Sequence, residues 1–178
     1  LWVLLWILIP VFIWLEDGGP VFYLQERSGL KGKPFKALKF RSMVKDAEGA
    51  TGAVWAEEND PRVTRLGRIL RATALDELPQ VINILRGEMS FVGPRAERPV
   101  LIEKFSKEVS GFSQRLVVRP GLTGMAQVYG KYDSHPAEKL KHDLAYIEHM
   151  NPWLDVKLIF LSLWVTLKGS WESRGEKF

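Results

Sequence analysis

Apolar residues gather at the two ends of the chain and charge in its middle. Leu1 to Leu15 carry no charge and read L-W-V-L-L-W-I-L-I-P-V-F-I-W-L. As a helix this run would be roughly 22 Å long, short of a roughly 30 Å hydrocarbon core. Pro10 removes one backbone donor within it and favours a kink. No initiator Met and no basic stretch precede the run, so it does not read as a signal peptide. A longer native segment is expected upstream. A buried core helix is the plain alternative, but Trp2, Trp6 and Trp14 favour membrane contact, because indoles settle at membrane interfaces. At the other end, Leu158 to Leu167 is nearly all apolar over ten residues, too few to span a bilayer. With Trp153, Trp164 and Trp171 in or around it, the segment reads as a helix lying in the interface.

Between these ends the pattern predicts short elements. Val21–Gln25 and Phe35–Phe40 lean towards strands, and Gly29-Leu30-Lys31-Gly32 supplies a turn, so a small hairpin is expected. Arg41–Glu48 is expected to be a short helix with Ser42 as its N-cap. Thr51–Asn59 lacks periodicity and reads as a loop, and Thr64–Ala72 as a basic helix. Leu78, Val81, Ile82 and Leu85 have the spacing of a half-buried helix, with Gly87 placed to end it. Gly93-Pro94 marks a loop, Arg98–Lys107 a helix, and Arg119 to Gly124 an irregular stretch. Pro136–Met150 predicts a helix with Leu140, Leu144 and Ile147 on one side, and Asn151-Pro152 suit the start of the last helix. The fold class is therefore α+β with helices dominant.

Composition sharpens this picture only in part. A length of 178 residues suits one domain with an appendage. The mean hydropathy of −0.08 blends apolar ends with a polar centre. The absence of Cys excludes disulfides and thiolate chemistry. A net charge of +4 suggests anionic partners, but no nucleic-acid motif accompanies it, and most of the Trp lie in apolar segments instead of among basic residues. His135, His142 and His149 are seven apart, too widely spaced on a helix to share one metal ion, and read as structural or surface residues.

The chemistry concentrates around Asp76-Glu77. Arg62, Arg65, Arg68 and Arg71 precede the pair at intervals of three, a pattern that a solvated basic face would also give. Pro79 fits a first helical turn, so Asp76 is expected as the N-cap of the helix that follows, and capping alone would explain it. A carboxylate pair beside arginines can also hold Mg²⁺ and a diphosphate together, or attack phosphorus. Gly93-Pro94-Arg95 and Arg119-Pro120-Gly121 each fix an Arg beside a rigid loop, suited to a bidentate grip on phosphate. The residues point to a phosphate-handling, Mg²⁺-dependent site on a membrane-attached domain. The alternative is a non-catalytic membrane-bound module that binds anionic lipid or phosphate.

An ordered set of blocks resembles the bacterial sugar transferase family, the monotopic polyprenol-phosphate phosphoglycosyl transferases. The blocks are Gly19-Pro20-Val21-Phe22, Gln25 with Arg27 and Gly29, Gly32-Lys33-Pro34-Phe35, Lys39-Phe40-Arg41-Ser42-Met43 and Asp60-Pro61-Arg62-Val63-Thr64. They continue with Arg71 through Gln80, Gly87 through Arg95, and Arg119 through Gly124 with Gln127. The resemblance implies transfer of a phospho-sugar from a UDP-sugar to polyprenol (undecaprenyl) phosphate with release of UMP. This would be the first membrane step of exopolysaccharide, O-antigen or glycoprotein glycan assembly. It implies Asp76 as nucleophile through a covalent aspartyl intermediate, and Glu77 as its partner. Both would serve as Mg²⁺ ligands. Arg71, Arg95 and Arg119 would grip phosphate or nucleotide, with Pro94, Lys39 and Arg41 at the same site and Asp143 joining from a D-x-x-Y stretch with Tyr146. Residues 1–17 would form a re-entrant membrane anchor, truncated at its N-terminus, and residues 18–178 a catalytic domain at the cytoplasmic face of the bacterial inner membrane. Membrane lipid is an implied partner, and homo-oligomerisation is left open. The chain departs from the family pattern at Ile9, where Ser is common before the proline, in lacking basic residues before the apolar run, and at Ala96.

Overall fold

The computed structural model describes residues 2–49, 60–131 and 134–168. The expected loop at Thr51–Asn59 and Trp171 lie outside them. Helix α1 (Trp2–Asp17) leads into the antiparallel hairpin β1 (Phe22–Ser28) and β2 (Pro34–Phe40). Helix α2 (Arg65–Ala72), a 3-10 helix (Leu75–Gln80) and the short α3 (Val81–Leu85) come next. Strand β3 (Ser90–Val92) is followed by α4 (Pro99–Glu108) and a second 3-10 helix (Phe112–Val117). The chain then returns as β4 (Gly121–Thr123), which pairs with β3 in parallel, before α5 (Met125–Tyr129), α6 (Pro136–His149) and α7 (Pro152–Leu167). The α+β, helix-rich class is as expected, and so is the hairpin, although β1 runs three residues further than Gln25.

Helix α1 continues through Pro10. Ile9 and Ile13, one turn apart, are buried against Phe40 and Leu70, each contributing about 1.5–3 kcal/mol. The helix is also tied down at its end. Glu16 accepts from the Arg65 and Leu66 N–H groups at 2.8 and 3.3 Å, supplementing the Thr64 cap on Gly67. Asp17 pairs with Arg41. Leu4, Ile7, Phe12, Trp14 and Leu15 remain exposed. Among the described residues, no helix is long and apolar enough to cross a membrane. Helix α7 likewise buries Leu158 and Val165 and exposes Trp153, Phe160, Trp164 and Leu167. Asn151 caps it, accepting from Leu154 N–H at 3.0 Å.

Four expectations need correction. Arg41–Glu48 is not a helix: Met43 bridges Val63, Val44 N–H donates to Arg62 O at 2.8 Å, and a turn follows. These long-range bonds take the groups that a local helix would have used. The helix expected over Leu78–Leu85 is split, because Pro79 supplies no donor and Leu75–Gln80 closes as a 3-10 helix. Leu85 consequently stands 83% exposed. Asp76 is not an N-cap. The cap position is Ala74, in the left-handed region at φ 52°, and no side chain caps it. Finally, the supposedly irregular stretch contains β4. Gly121 fits there because a Cβ would lie 2.1 Å from Gly93 N, so two backbones meet at that point.

Candidate active site

A cavity of about 570 Å³ opens between the hairpin, the Leu75–Gln80 turn and the start of α4. Its wall includes eight Lys or Arg and four Asp or Glu residues, an excess that suits a polyanion. The chain reaches the cavity by a sharp local route. Helix α2 ends as Thr73 Oγ1 donates to Ile69 O at 2.7 Å. Left-handed Ala74 then reverses the chain, and Glu77 N–H donates to Ala74 O at 3.1 Å, so the 3-10 helix lays Asp76 and Glu77 against β2. Both acids are buried, at 7% and 4% exposure.

Glu77 is the centre of the arrangement. Its Oε1 accepts from Lys39 Nζ at 2.7 Å and from Arg95 Nη2 at 2.6 Å, and Arg95 Nη1 reaches Oε2 at 3.3 Å. Burial alone would raise its proton affinity. Arg95 and Lys39 overcome that and hold the carboxyl well below the usual carboxylate range. Lys39 is lowered by burial, with Glu77 and Asp76 opposing the shift.

Lys39, Arg41, Arg71, Asp76, Glu77 and Arg95 all line the cavity. Arg41 is largely committed elsewhere, to Asp17 at 2.7 Å and to the Pro20 carbonyl, and so locks the end of α1 to β2. Three expected residues are not brought to the wall. Arg119 is exposed, and its segment serves through the backbone, with Pro120 O accepting from Ser90 N–H at 2.8 Å. Pro94 O accepts from Gly121 N–H at 2.9 Å. Asp143 is buried on α6, 2.7 Å from Arg115. It reaches the site only indirectly, since Arg115 Nη2 donates to Arg95 O at 3.1 Å. Of the arginine row, Arg62 and Arg71 line the cavity, and Arg65 and Arg68 face solvent.

Tyr23, Gln25, Arg27, Glu48 and Arg98 also stand on the cavity wall, without a site role in the sequence pattern. Strand alternation could have found the first three. Tyr23 pairs with Lys39 and Gln25 with Ala37, so Tyr23, Gln25 and Arg27 share the Lys39 face. Glu48 and Arg98, an ion pair 50 residues apart in sequence, carried no such signal.

Residues 1–169 match the bacterial sugar transferase family. The chain belongs to that family. It is 41% identical over 162 residues to the UDP-N-acetylgalactosamine-undecaprenyl-phosphate N-acetylgalactosaminephosphotransferase of Aeromonas hydrophila, covering 89% of this chain and 38% of the relative. It is 42% identical over 160 residues to the UDP-glucose:undecaprenyl-phosphate glucose-1-phosphate transferase of Escherichia coli K12, covering 87% and 34%. Similarity to the transferase of that same name from Caulobacter vibrioides is 40% over 158 residues, covering 86% and 59%. The chain thus spans between about a third and three fifths of the length of these relatives.

Proposed function

We propose that this chain transfers a phospho-sugar from a UDP-sugar to undecaprenyl phosphate, releasing UMP. The observation that carries this reading is the buried Asp76-Glu77 pair in a cation-rich cavity, with Glu77 held by Lys39 and Arg95. The names of the relatives supply the substrate classes. A carboxylate oxygen of Asp76 attacks the sugar-bearing phosphorus, the bond from that phosphorus to the UMP oxygen breaks, and UMP leaves. A phosphate oxygen of the polyprenol then attacks the same phosphorus. The Asp76–phosphorus bond breaks, which restores the carboxylate and yields the lipid diphosphate sugar. Arriving phosphates compete with Glu77 for Arg95 and Lys39. As those cations turn to substrate, Glu77 loses the charges that hold it ionised and becomes a better acceptor for the acceptor phosphate's proton.

The donor set fits Mg²⁺, which commonly binds through one or two carboxylates plus substrate phosphates. Among the described residues no cluster of three metal-binding side chains occurs, so substrate oxygens would complete the shell around Asp76 and Glu77. When bound, the ion would neutralise charge on the diphosphate. The exposed apolar faces of α1 and α7 support seating on the bacterial inner membrane, with α1 dipping in as a re-entrant anchor and the cavity at the cytoplasmic face. The test is UMP release from a panel of UDP-sugars with undecaprenyl phosphate and Mg²⁺. Release that requires the lipid phosphate and is lost with chelator supports the reading. Binding to anionic vesicles with no nucleotide release across the panel would return the chain to the non-catalytic alternative.

A further inference from the structure

Asn83 lies outside the cavity wall, yet it is fully buried with its amide engaged on three sides. Among the described residues, strand β2 pairs with β1 along one edge only. On its other edge Leu38 N–H donates to Asn83 Oδ1 at 3.0 Å, and Asn83 Nδ2 donates to Lys36 O at 2.9 Å. The side-chain amide therefore behaves as a one-residue third strand. Its second N–H donates to Glu88 Oε2 at 2.7 Å, and Glu88 N–H donates back to the Asn83 carbonyl at 3.0 Å. Leu38 directly precedes Lys39, whose Nζ meets Glu77 Oε1 at 2.7 Å. Asn83 is on α3, which continues directly from the 3-10 helix that carries Glu77. One amide thus joins the two segments whose side chains form the ion pair.

We propose that Asn83, oriented by Glu88, is a positioning residue that fixes Lys39 against Glu77, an inference whose catalytic consequence rests on the function proposed above. A fixed strand edge matters because an ion pair formed by a long, flexible Lys otherwise loses side-chain entropy each time it forms. With β2 pinned at Leu38, much of that ordering is built into the fold. A backbone shift well under the length of one residue would separate Nζ from the carboxylate.

The test uses the whole chain and two readouts. Lys39, only 14% exposed in its side chain, is labelled with an amine-reactive reagent and its rate taken relative to exposed Lys104 by peptide mass spectrometry. In Asn83→Ala the relative rate for Lys39 should rise severalfold while other surface lysines keep theirs. UMP release should fall about tenfold to a hundredfold through kcat, with KM changed far less. A double-mutant cycle separates positioning from general weakening: Asn83→Ala combined with Lys39→Met should be no slower than Lys39→Met alone. If Asn83→Ala fails to fold, Asn83→Asp with Glu88→Gln stands in. That pair keeps the bond to Leu38 and one to residue 88 while losing the donor to Lys36, and it should give an intermediate rise in labelling. A selective labelling rise in a protein that releases no UMP even as wild type would uphold the positioning and sink the function reading. Unchanged Lys39 labelling, or activity losses that multiply in the double mutant, would overturn the positioning role.

Discussion

Glu77 and Asp143 are both buried carboxylates facing an arginine, yet the structure drives them in opposite directions. Glu77 has two cations and three hydrogen bonds, and it is held far below its ordinary value of 4.5. Burial, helped by the Glu97 charge, outweighs the contacting Arg115 and the weaker pull of Lys139 at Asp143, so the carboxyl is pushed up to about 6 from 3.8. Arg115 is itself divided between Asp143, the Arg95 carbonyl and the Phe112 ring, whose centroid is 4.9 Å away. Burial by itself therefore does not say whether a carboxylate is charged; the balance between burial and the charges around it, above all the cations in direct contact, decides. A carboxylate held ionised at the cavity wall is available to phosphate chemistry. One near its midpoint behind the wall is suited to support.

The largest expected effect comes from removing the acid beside this contrast. Asp76→Asn should lower turnover by at least about a thousandfold, as loss of a covalent nucleophile does, while the melting temperature shifts little. A loss of activity matched by unfolding would assign Asp76 a structural role instead. Glu77→Gln comes next. It leaves Lys39 and Arg95 facing a neutral amide, so turnover should fall about a hundredfold or more and stability by about 3 kcal/mol, read by steady-state kinetics and denaturant melts.

The third effect is on pH, where the two acids carry opposite signs. Glu77 binds its proton less tightly when folded than unfolded. Its stabilisation is complete above its ordinary value and is lost as pH falls below it. Asp143 binds its proton more tightly when folded, so its contribution falls as pH rises from about 4 to 6 and is level beyond that. The Asp143 difference is worth on the order of a few kcal/mol. Melting curves of Asp143→Asn should thus gain on wild type across that window; a constant offset at every pH would remove the contrast. The smallest effect concerns the turn that delivers the pair. Ala74→Gly should be neutral or stabilise by up to about 1 kcal/mol, and Ala74→Val should destabilise, because a β-branched residue resists positive φ.

Much of this was legible in the sequence where a signal was local. The hairpin followed from two strand-like runs around a Gly-rich turn, and the α2, α6 and α7 boundaries from Thr64, Pro136 and Asn151-Pro152. Asp76, Glu77, Arg71 and Arg95 stand out by residue type and spacing, Lys39 and Arg41 only through the resemblance, and all six line one cavity. What was illegible was non-local. Nothing near Ser42 announces that Met43 will bridge Val63, and nothing near Arg119 shows that its loop supplies a strand. The carboxylate of Asp143 looks like any helical Asp until Arg115 is packed beside it.

Incubation of the chain with each UDP-sugar and Mg²⁺, without lipid acceptor, followed by mass analysis of the peptide containing Asp76, shows whether the covalent intermediate forms. With the accepted sugar nucleotide the Asp76 peptide should gain one phospho-sugar, with UMP released in equal amount, and Asp76→Asn should gain none. UMP appearing only once undecaprenyl phosphate is added, with Asp76 unmodified throughout, would contradict that intermediate.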